Sequence, residues 1–215
     1  MGKSGSTKML DVVQARLAKL LQPRGYVRGG RTFRRDAGDG VVQVVNLQMR
    51  AFATDTTSPP AMELVDRFTV NLGIFIPELQ SEYFVGPAVH EYDCAVRMRI
   101  GSLMDPPHDH WWDLSGDADA LAEELLRVME ERGLPFLDRF ATRDAIVAEW
   151  IAFSEATGSI GSARVDVAIL HAARGEPREA RALLRALRSG EGIAPSHADY
   201  LDALAARLGL DPLEA

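Results

Sequence analysis

The chain has 215 residues, 47% of them apolar and 26% charged, and a net charge of −7. That length can bury a sizeable core, the composition is ordinary for a globular protein, and no apolar run approaches the roughly 18 residues of a membrane span. The opening MGKSGSTKML has no apolar stretch of the secretory kind, and the lone cysteine, Cys94, excludes an internal disulfide, so a cytoplasmic setting is expected. The charge is uneven. Residues 1–35 hold nine Lys/Arg against Asp11 alone, a sum of +8, which leaves −15 for the rest. An acidic whole argues against a non-specific nucleic-acid binder, while the basic front leaves room for a local anion site.

Met9 to Leu21 reads as an amphipathic helix, with Leu10, Val13, Leu17, Leu20 and Leu21 at helical spacing. Ser6 or Thr7 is placed to cap it, and Pro23 and Gly25 to stop it. Strands follow. RTFRR (31–35) and VVQVVNLQMR (41–50) flank DAGDG, a link of hairpin length; FTVNLGIFI (68–76) is closed by Pro77, and YDCAVRMRIG (92–101) is the fourth. The link across 51–66, with TDTTSPP, reads as a loop, and 78–91 is shorter. No connection is periodic enough for a crossover helix, so an antiparallel meander is expected, with RTFRR at its edge.

After MDPPHDHWWDLSGD the pattern turns helical. Leu121, Leu125, Val128 and Met129 form one stripe, ended by Gly133 and Pro135. A helix from Thr142 or Arg143 carries Ile146, Val147, Trp150 and Ile151. VDVAILHAARGEPREARALLRAL reads as a helical hairpin turning at RGEP, and a final helix starts at Ser196 and ends at Gly209. The expected fold is α+β: an N-terminal helix and a four-stranded antiparallel meander with helices on one face (1–140), then an all-helical extension (141–215).

Strand parity sorts the sheet into two faces. Phe33, Val45, Leu47, Met49, Phe68, Val70, Leu72, Ile74, Cys94, Val96 and Met98 fall on the face meant for helices. The other face collects Arg34, Asn46, Gln48, Arg50, Thr69, Asn71, Arg97 and Arg99, with Asp93 as its one acid. Solvated faces usually mix in Lys and Glu, and this one has neither. Amides and forked guanidinia suit hydrogen bonding to a carboxylate, a phosphate or a peptide edge. Two plainer readings stand beside this: a wet outer face, or a face covered by the acidic helical tail. Arg31 and Arg35 share the parity of Phe33 and are expected at the ends of that row, reaching solvent or helix carboxylates.

Other constellations are weaker. HDHWWD offers His108, His110 and Asp109 or Asp113, but no third ligand at a recognisable spacing, so no metal is expected. HEYDC brings Cys94 near His90, yet parity turns Cys94 into the core, so no catalytic nucleophile is expected. The sequence has no phosphate loop, dinucleotide fingerprint, nucleophile elbow or zinc-helix motif, and no cofactor is implied. Gly175–Ala180 with Leu183 and Leu187 echoes half of a tetratricopeptide repeat, but a lone hairpin is not a solenoid.

The segments GRTFRR…GDGVVQVVNLQ, FTVNLGIFIPEL, EYDCAVRMRIG, WWDL and GLPFLDRF, in this order, resemble the bacterial DUF4304 family over roughly 25–140. The resemblance implies a small α+β domain and supplies no catalytic residues. The favoured function is a non-enzymatic binding module in which Arg34, Asn46, Gln48, Asn71, Arg97 and Arg99 take an anionic ligand or a protein partner, an immunity-like accessory role among them. The alternative is an enzyme that clamps a phosphate- or carboxylate-bearing substrate with these arginines and moves protons with Asp93, His90 or His108. A structural reading makes the helical tail a surface for homo-oligomers. No membrane partner is expected.

Overall fold

The computed structural model describes residues 4–50, 66–80, 88–157, 160–190 and 193–213. The loop read across 51–65 and most of the link after Gln80 lie outside the described residues. The chain divides into two compact units: Met1–Ile76 with Glu82–Arg139, and Pro77–Ser81 with Phe140–Ala215. Among the described residues no helix is long and apolar enough to cross a membrane.

The first unit opens with helix α1 (Gly5–Leu21), four residues longer at its start than the apolar stripe suggests. The reason is the cap: Ser4, not Ser6 or Thr7, accepts from the Thr7 backbone N–H at 3.2 Å. Leu10, Val13, Leu17 and Leu21 are completely buried, each worth about 2 kcal/mol of apolar burial. Pro23 lies in the closing turn and Gly25 leaves it at φ 86°, a left-handed geometry that costs glycine little.

The sheet is antiparallel, in the order β1 (Val27–Gly29), β2 (Thr32–Gly38), β3 (Val41–Arg50), β4 (Arg67–Phe75) and β5 (Val96–Arg99), with β6 (Trp112–Asp113) also pairing β4. The expected four-strand meander forms its centre. RTFRR is not the edge: Val27–Gly29 pairs outside β2, a three-residue strand too short to show alternation. At the β2–β3 hairpin Asp39 (φ 53°) and Gly40 (φ 78°) are both left-handed, as a two-residue hairpin turn that follows strand twist requires.

Pair registers put the apolar rows where parity requires. Phe33 faces Val45, Val45 faces Leu72, and Leu72 faces Met98. This face carries the helices. Arg31 reaches Asp11 of α1 at 2.7 Å, and Arg35 reaches Asp138 at 2.8 Å. Helix α2 (Ala118–Val128) lies against α1 and is capped by Asp117. Gly133 and Pro135 do not end it. The chain runs on through a wide turn, Met129–Gly133, into α3 (Leu134–Asp138). Proline is tolerated there because it sits in the first turn of α3, where its missing N–H breaks no bond.

Two further departures arise on this side of the chain. Strand β5 begins at Val96, not Tyr92; Glu91–Asp93 form a tight helical turn. Parity therefore never applied to Cys94, which is buried with Val44 and Phe75 on the sheet face opposite Phe33. Asp93 likewise leaves the sheet face, and its carboxylate accepts from the His90 backbone N–H at 2.7 Å.

A polar hub the sequence concealed sits at the helix-bearing face. Gln43 is fully buried on the parity of Phe33. Its Oε1 accepts from Tyr26 Oη at 2.8 Å and Arg35 Nε at 2.9 Å, and its Nε2 donates to the Leu137 carbonyl at 2.8 Å. A partner for each of its polar atoms is what makes a buried amide tolerable.

The second unit holds α4 (Arg143–Thr157), α5 (Ile160–Ala173), α6 (Pro177–Arg188) and α7 (Pro195–Arg207). Val165, Ala168, Leu184, Leu201, Leu204, Ala205 and Leu213 form its core. The α5–α6 turn holds Gly175 at φ 75° and is pinned by His171 to Glu176 at 2.6 Å and by Arg174 to Glu176 and Asp144 at 2.9 and 2.6 Å. Helix α7 starts at Pro195 after Ala194, without a side-chain cap. Ser196 is already inside its first turn, because proline there presets the helical φ. Glu78 pairs with Arg143, which ties Pro77–Leu79 to the helical unit.

Two predictions follow from this packing. A Cβ at Gly73 would lie 2.5 Å from Cys94 Sγ and 2.9 Å from its Cβ. Gly73→Ala should cost on the order of 1–3 kcal/mol in urea unfolding, and adding Cys94→Ala should recover part of that loss; strictly additive effects would refute the contact. Burial pushes the Tyr26 hydroxyl up to about 12, with Arg35 opposing. Its folded value lies above the unfolded one, so its stabilisation is complete below about pH 10 and is lost between about pH 10 and 12. Absorbance titration at 295 nm should show one tyrosine ionising late, and Tyr26→Phe should remove that phase.

Candidate functional site

Along β4 the residues facing away from the helices are Thr69, Asn71, Gly73 and Phe75. Register sets them in cross-sheet rows. One row reads Thr32, Asn46, Asn71, Arg99; the next reads Arg34, Val44, Gly73, Arg97. Gln48 stands opposite Thr69. Arg67 and Arg50 pair beyond that, and the Arg50 side chain lies outside the described residues.

The first row is wired together. Asn46 Nδ2 donates to Thr32 Oγ1 at 2.9 Å, Asn71 Nδ2 donates to Gln48 Oε1 at 2.8 Å, and Arg99 Nε approaches Asn71 Oδ1 at 3.4 Å. Asn71 is buried, so its amide plane is fixed by partners on both sides. Arg99 Nη1 also donates to Asp109 at 2.7 Å and its guanidinium lies over Trp111, 5.2 Å from the ring centroid. Burial acts to raise the Asp109 carboxyl, but the bonds from Arg99 and Trp111 and the Arg99 charge hold it below its usual value.

Gly101 seats the loop that brings Asp109 there. A Cβ at Gly101 would lie 2.3 Å from the His108 carbonyl oxygen, and the His108 N–H donates to the Gly101 carbonyl at 3.1 Å. Trp112 anchors the same loop by stacking on Phe68 at 5.2 Å. His108 and His110 bond each other at 3.0 Å, and burial lowers His110 below its usual value. Among the described residues no three His, Cys, Asp or Glu are grouped to hold a metal ion.

The Glu91–Asp93 turn forms a wall beside the amide row. Glu91 is only 14% exposed and accepts from Arg97 Nε at 2.8 Å. His90 and Tyr92 stack at 5.0 Å, and Tyr92 is 67% exposed. Between this turn and the β5 arginines lies a depression of about 620 Å³, lined by Asn46, Gln48, Asn71, His90, Glu91, Tyr92, Arg97, Met98 and Arg99. Its floor is carboxamide, its side guanidinium and its lip aromatic.

Five of the six nominated residues therefore come together: Asn46, Gln48, Asn71, Arg97 and Arg99. Arg34 does not line the depression. It faces Val44 rather than Asn46 or Gln48, and its Nε donates to the Val89 carbonyl. Val42, Val44, Phe75, Val89 and Cys94 cover that end of the face with an apolar cluster. Three sheet spacings of about 4.8 Å separate the backbones of Arg34 and Arg97. The sequence reading missed Glu91 and Tyr92 as lining residues, because it divides the turn between a link ending at Glu91 and a strand starting at Tyr92. The paired acids of HEYD ahead of an apolar alternation were the available signal for a capped turn.

The sequence profile of the family described as "Domain of unknown function (DUF4304)" matches residues 17–139. No curated protein and no solved structure matches the chain. The matched span contains the whole sheet and every residue of the depression. With more than half of its length covered in this way, the chain belongs to the DUF4304 family.

Proposed function

We propose that the sheet unit is a non-enzymatic binding module whose polar depression takes an anionic ligand, either a free carboxylate or phosphate or an acidic side chain of a protein partner. One observation carries this reading: Arg97 and Arg99 stand on adjacent rows of one face, over an amide floor already held rigid. Each guanidinium has more N–H donors than its contacts use. Preorganised forks bind an anion without losing much side-chain freedom. The lone buried cysteine suits the cytoplasmic setting in which we place the protein.

A second reading, an enzyme acting on a phosphate- or carboxylate-bearing substrate, draws support from His90 and Glu91 in the lining. Against it, Glu91 is committed to Arg97. The Cys94 thiol is pushed up to about 12, first by burial and then by Glu91 and Asp93, so it supplies no thiolate near neutral pH.

Titration of the full chain with inorganic phosphate and with N-acetylglutamate, followed by ¹⁵N–¹H spectra, tests the binding reading. Shifts should concentrate at Tyr92, Arg97 and Arg99. The Arg97→Ala/Arg99→Ala variant should weaken binding about tenfold or more, or roughly 1.4 kcal/mol. Shifts spread elsewhere, or unchanged affinity in that variant, would reject it. For the thiol, a disulfide reagent at pH 8 should modify Cys94 at least a hundredfold more slowly in the folded protein than in denaturant. Equal rates would reopen the nucleophile.

A further inference from the structure

The second unit carries a site of its own. Helix α6 is sharply two-sided. Ala180 and Leu184 are buried against the core, and Leu183 and Leu187 pack beside them. Arg178, Arg181 and Arg185 follow at helical spacing along the other side. Between α6 and the Gly209–Asp211 segment lies a groove of about 820 Å³, lined by those three arginines, Pro177, Ala182, Ala186, Ser189, Gly209, Leu210 and Asp211.

The arginines are not equivalent. Arg181 is spent on structure: its guanidinium donates to the carbonyls of Asp211 and Pro212 and so builds the far wall. Arg188, one turn on from Arg185, is held by Asp202 at 2.7 Å. Arg178 and Arg185 are exposed and have no carboxylate partner among the described residues. Arg181 and Arg185 are also like charges at i,i+4, an arrangement that costs an isolated helix a few tenths of a kcal/mol. The stripe is therefore a surface that a negative partner relieves. Ala182, Ala186 and Ser189 leave room beside the guanidinia for a chain to lie close to the helix.

We propose that this groove binds an extended acidic peptide segment of a partner protein. Arg178 and Arg185 are separated by about 10 Å of helix rise. Alternate residues of an extended chain fall about 6.7 Å apart on one side, so acids at alternate positions come within reach of both guanidinia. Each pairing is charge-assisted and potentially bidentate. A peptide is favoured over a nucleic acid because Asp211 stands on the lip and the chain beyond residue 35 sums to −15. A long polyanion would be repelled outside the groove, whereas a short acidic segment fits inside it. The site lies wholly in the helical unit and does not depend on the sheet depression.

The test is fluorescence anisotropy of a fluorescein-labelled hexaglutamate peptide with the full chain, across 20–300 mM salt. Saturable binding should weaken steeply with salt. Arg178→Glu/Arg185→Glu should reduce affinity at least tenfold at low salt and Arg178→Gln/Arg185→Gln by less, and both losses should persist in an Arg97→Ala/Arg99→Ala background, which removes any binding at the sheet depression. Circular dichroism must show unchanged helix content, and the milder glutamine pair decides the matter if the glutamate pair unfolds. Three results would overturn the proposal: equal binding by the substituted proteins, tighter binding of a single-stranded oligonucleotide than of hexaglutamate, or a dimer in sedimentation that is lost in the Arg178/Arg185 variants.

Discussion

The sheet unit depends on strand β4. It is hydrogen-bonded along both edges, to β3 on one side and to β5 and β6 on the other, and from Phe68 to Phe75 every residue is buried. A strand in that position has two faces to satisfy at once. Phe68, Val70, Leu72 and Ile74 close the main core under the helices. Thr69, Asn71 and Gly73 must then be buried on the other side as well. Each solves the problem differently. Thr69 donates to the His110 carbonyl, Asn71 is held by Gln48 and Arg99, and Gly73 admits Cys94 into contact with the backbone. These three solutions draw in the 108–112 loop, the amide row and the 89–95 segment. The amide row and the 89–95 segment supply the floor and one wall of the depression.

Much of this was legible because period-2 alternation is a strict geometric rule. Parity alone assigned Asn46, Gln48, Asn71, Arg97 and Arg99 to one face and Arg31 and Arg35 to the row of Phe33, where solvent or helix carboxylates were the options and Asp11 and Asp138 are the partners. Parity fails where the backbone stops being a strand: Tyr92–Ala95 read as the start of β5, so Asp93 and Cys94 receive sides they do not have. Arg34 was given the correct face, but parity says nothing of which row a residue occupies. Its cross-strand neighbour depends on hairpin register, and register here includes an irregularity between Asp36 and Gly38. Gln43 was unreadable for another reason. Its polarity argued for the solvent side, and only the convergence of Tyr26, Arg35 and Leu137 explains an amide in the core.

The excess positive charge of the N-terminal segment proves to be an internal fastening. Arg16 pairs with Asp119, Arg24 with Glu130, Arg31 with Asp11 and Arg35 with Asp138. Three of these four acids lie beyond residue 117, so part of the charge asymmetry along the sequence is neutralised in three dimensions. Exposed pairs of this kind are worth about 0–1 kcal/mol each. Their value is directional: they favour one seating of α2 and α3 against the front of the chain over others that would leave like charges together.

The same comparison separates structural arginines from functional candidates. Where a guanidinium is held by several inward contacts, as at Arg31 with Asp11 and Gln14, its donors face inward and its removal acts on packing. Where it is fixed by one bond and still exposed, as at Arg97, the bond orients a fork that remains open outward. An isolated exposed arginine pays rotamer entropy when it meets a ligand. One already held by Glu91 has lost part of that freedom on folding, so more of its hydrogen-bond energy appears as affinity. By that criterion Arg97, restrained at one edge and 54% exposed, is the better-prepared anion contact of the sheet face. Arg99, held by Asn71 and Asp109 and lying over Trp111, is the more rigid but the less available of the pair.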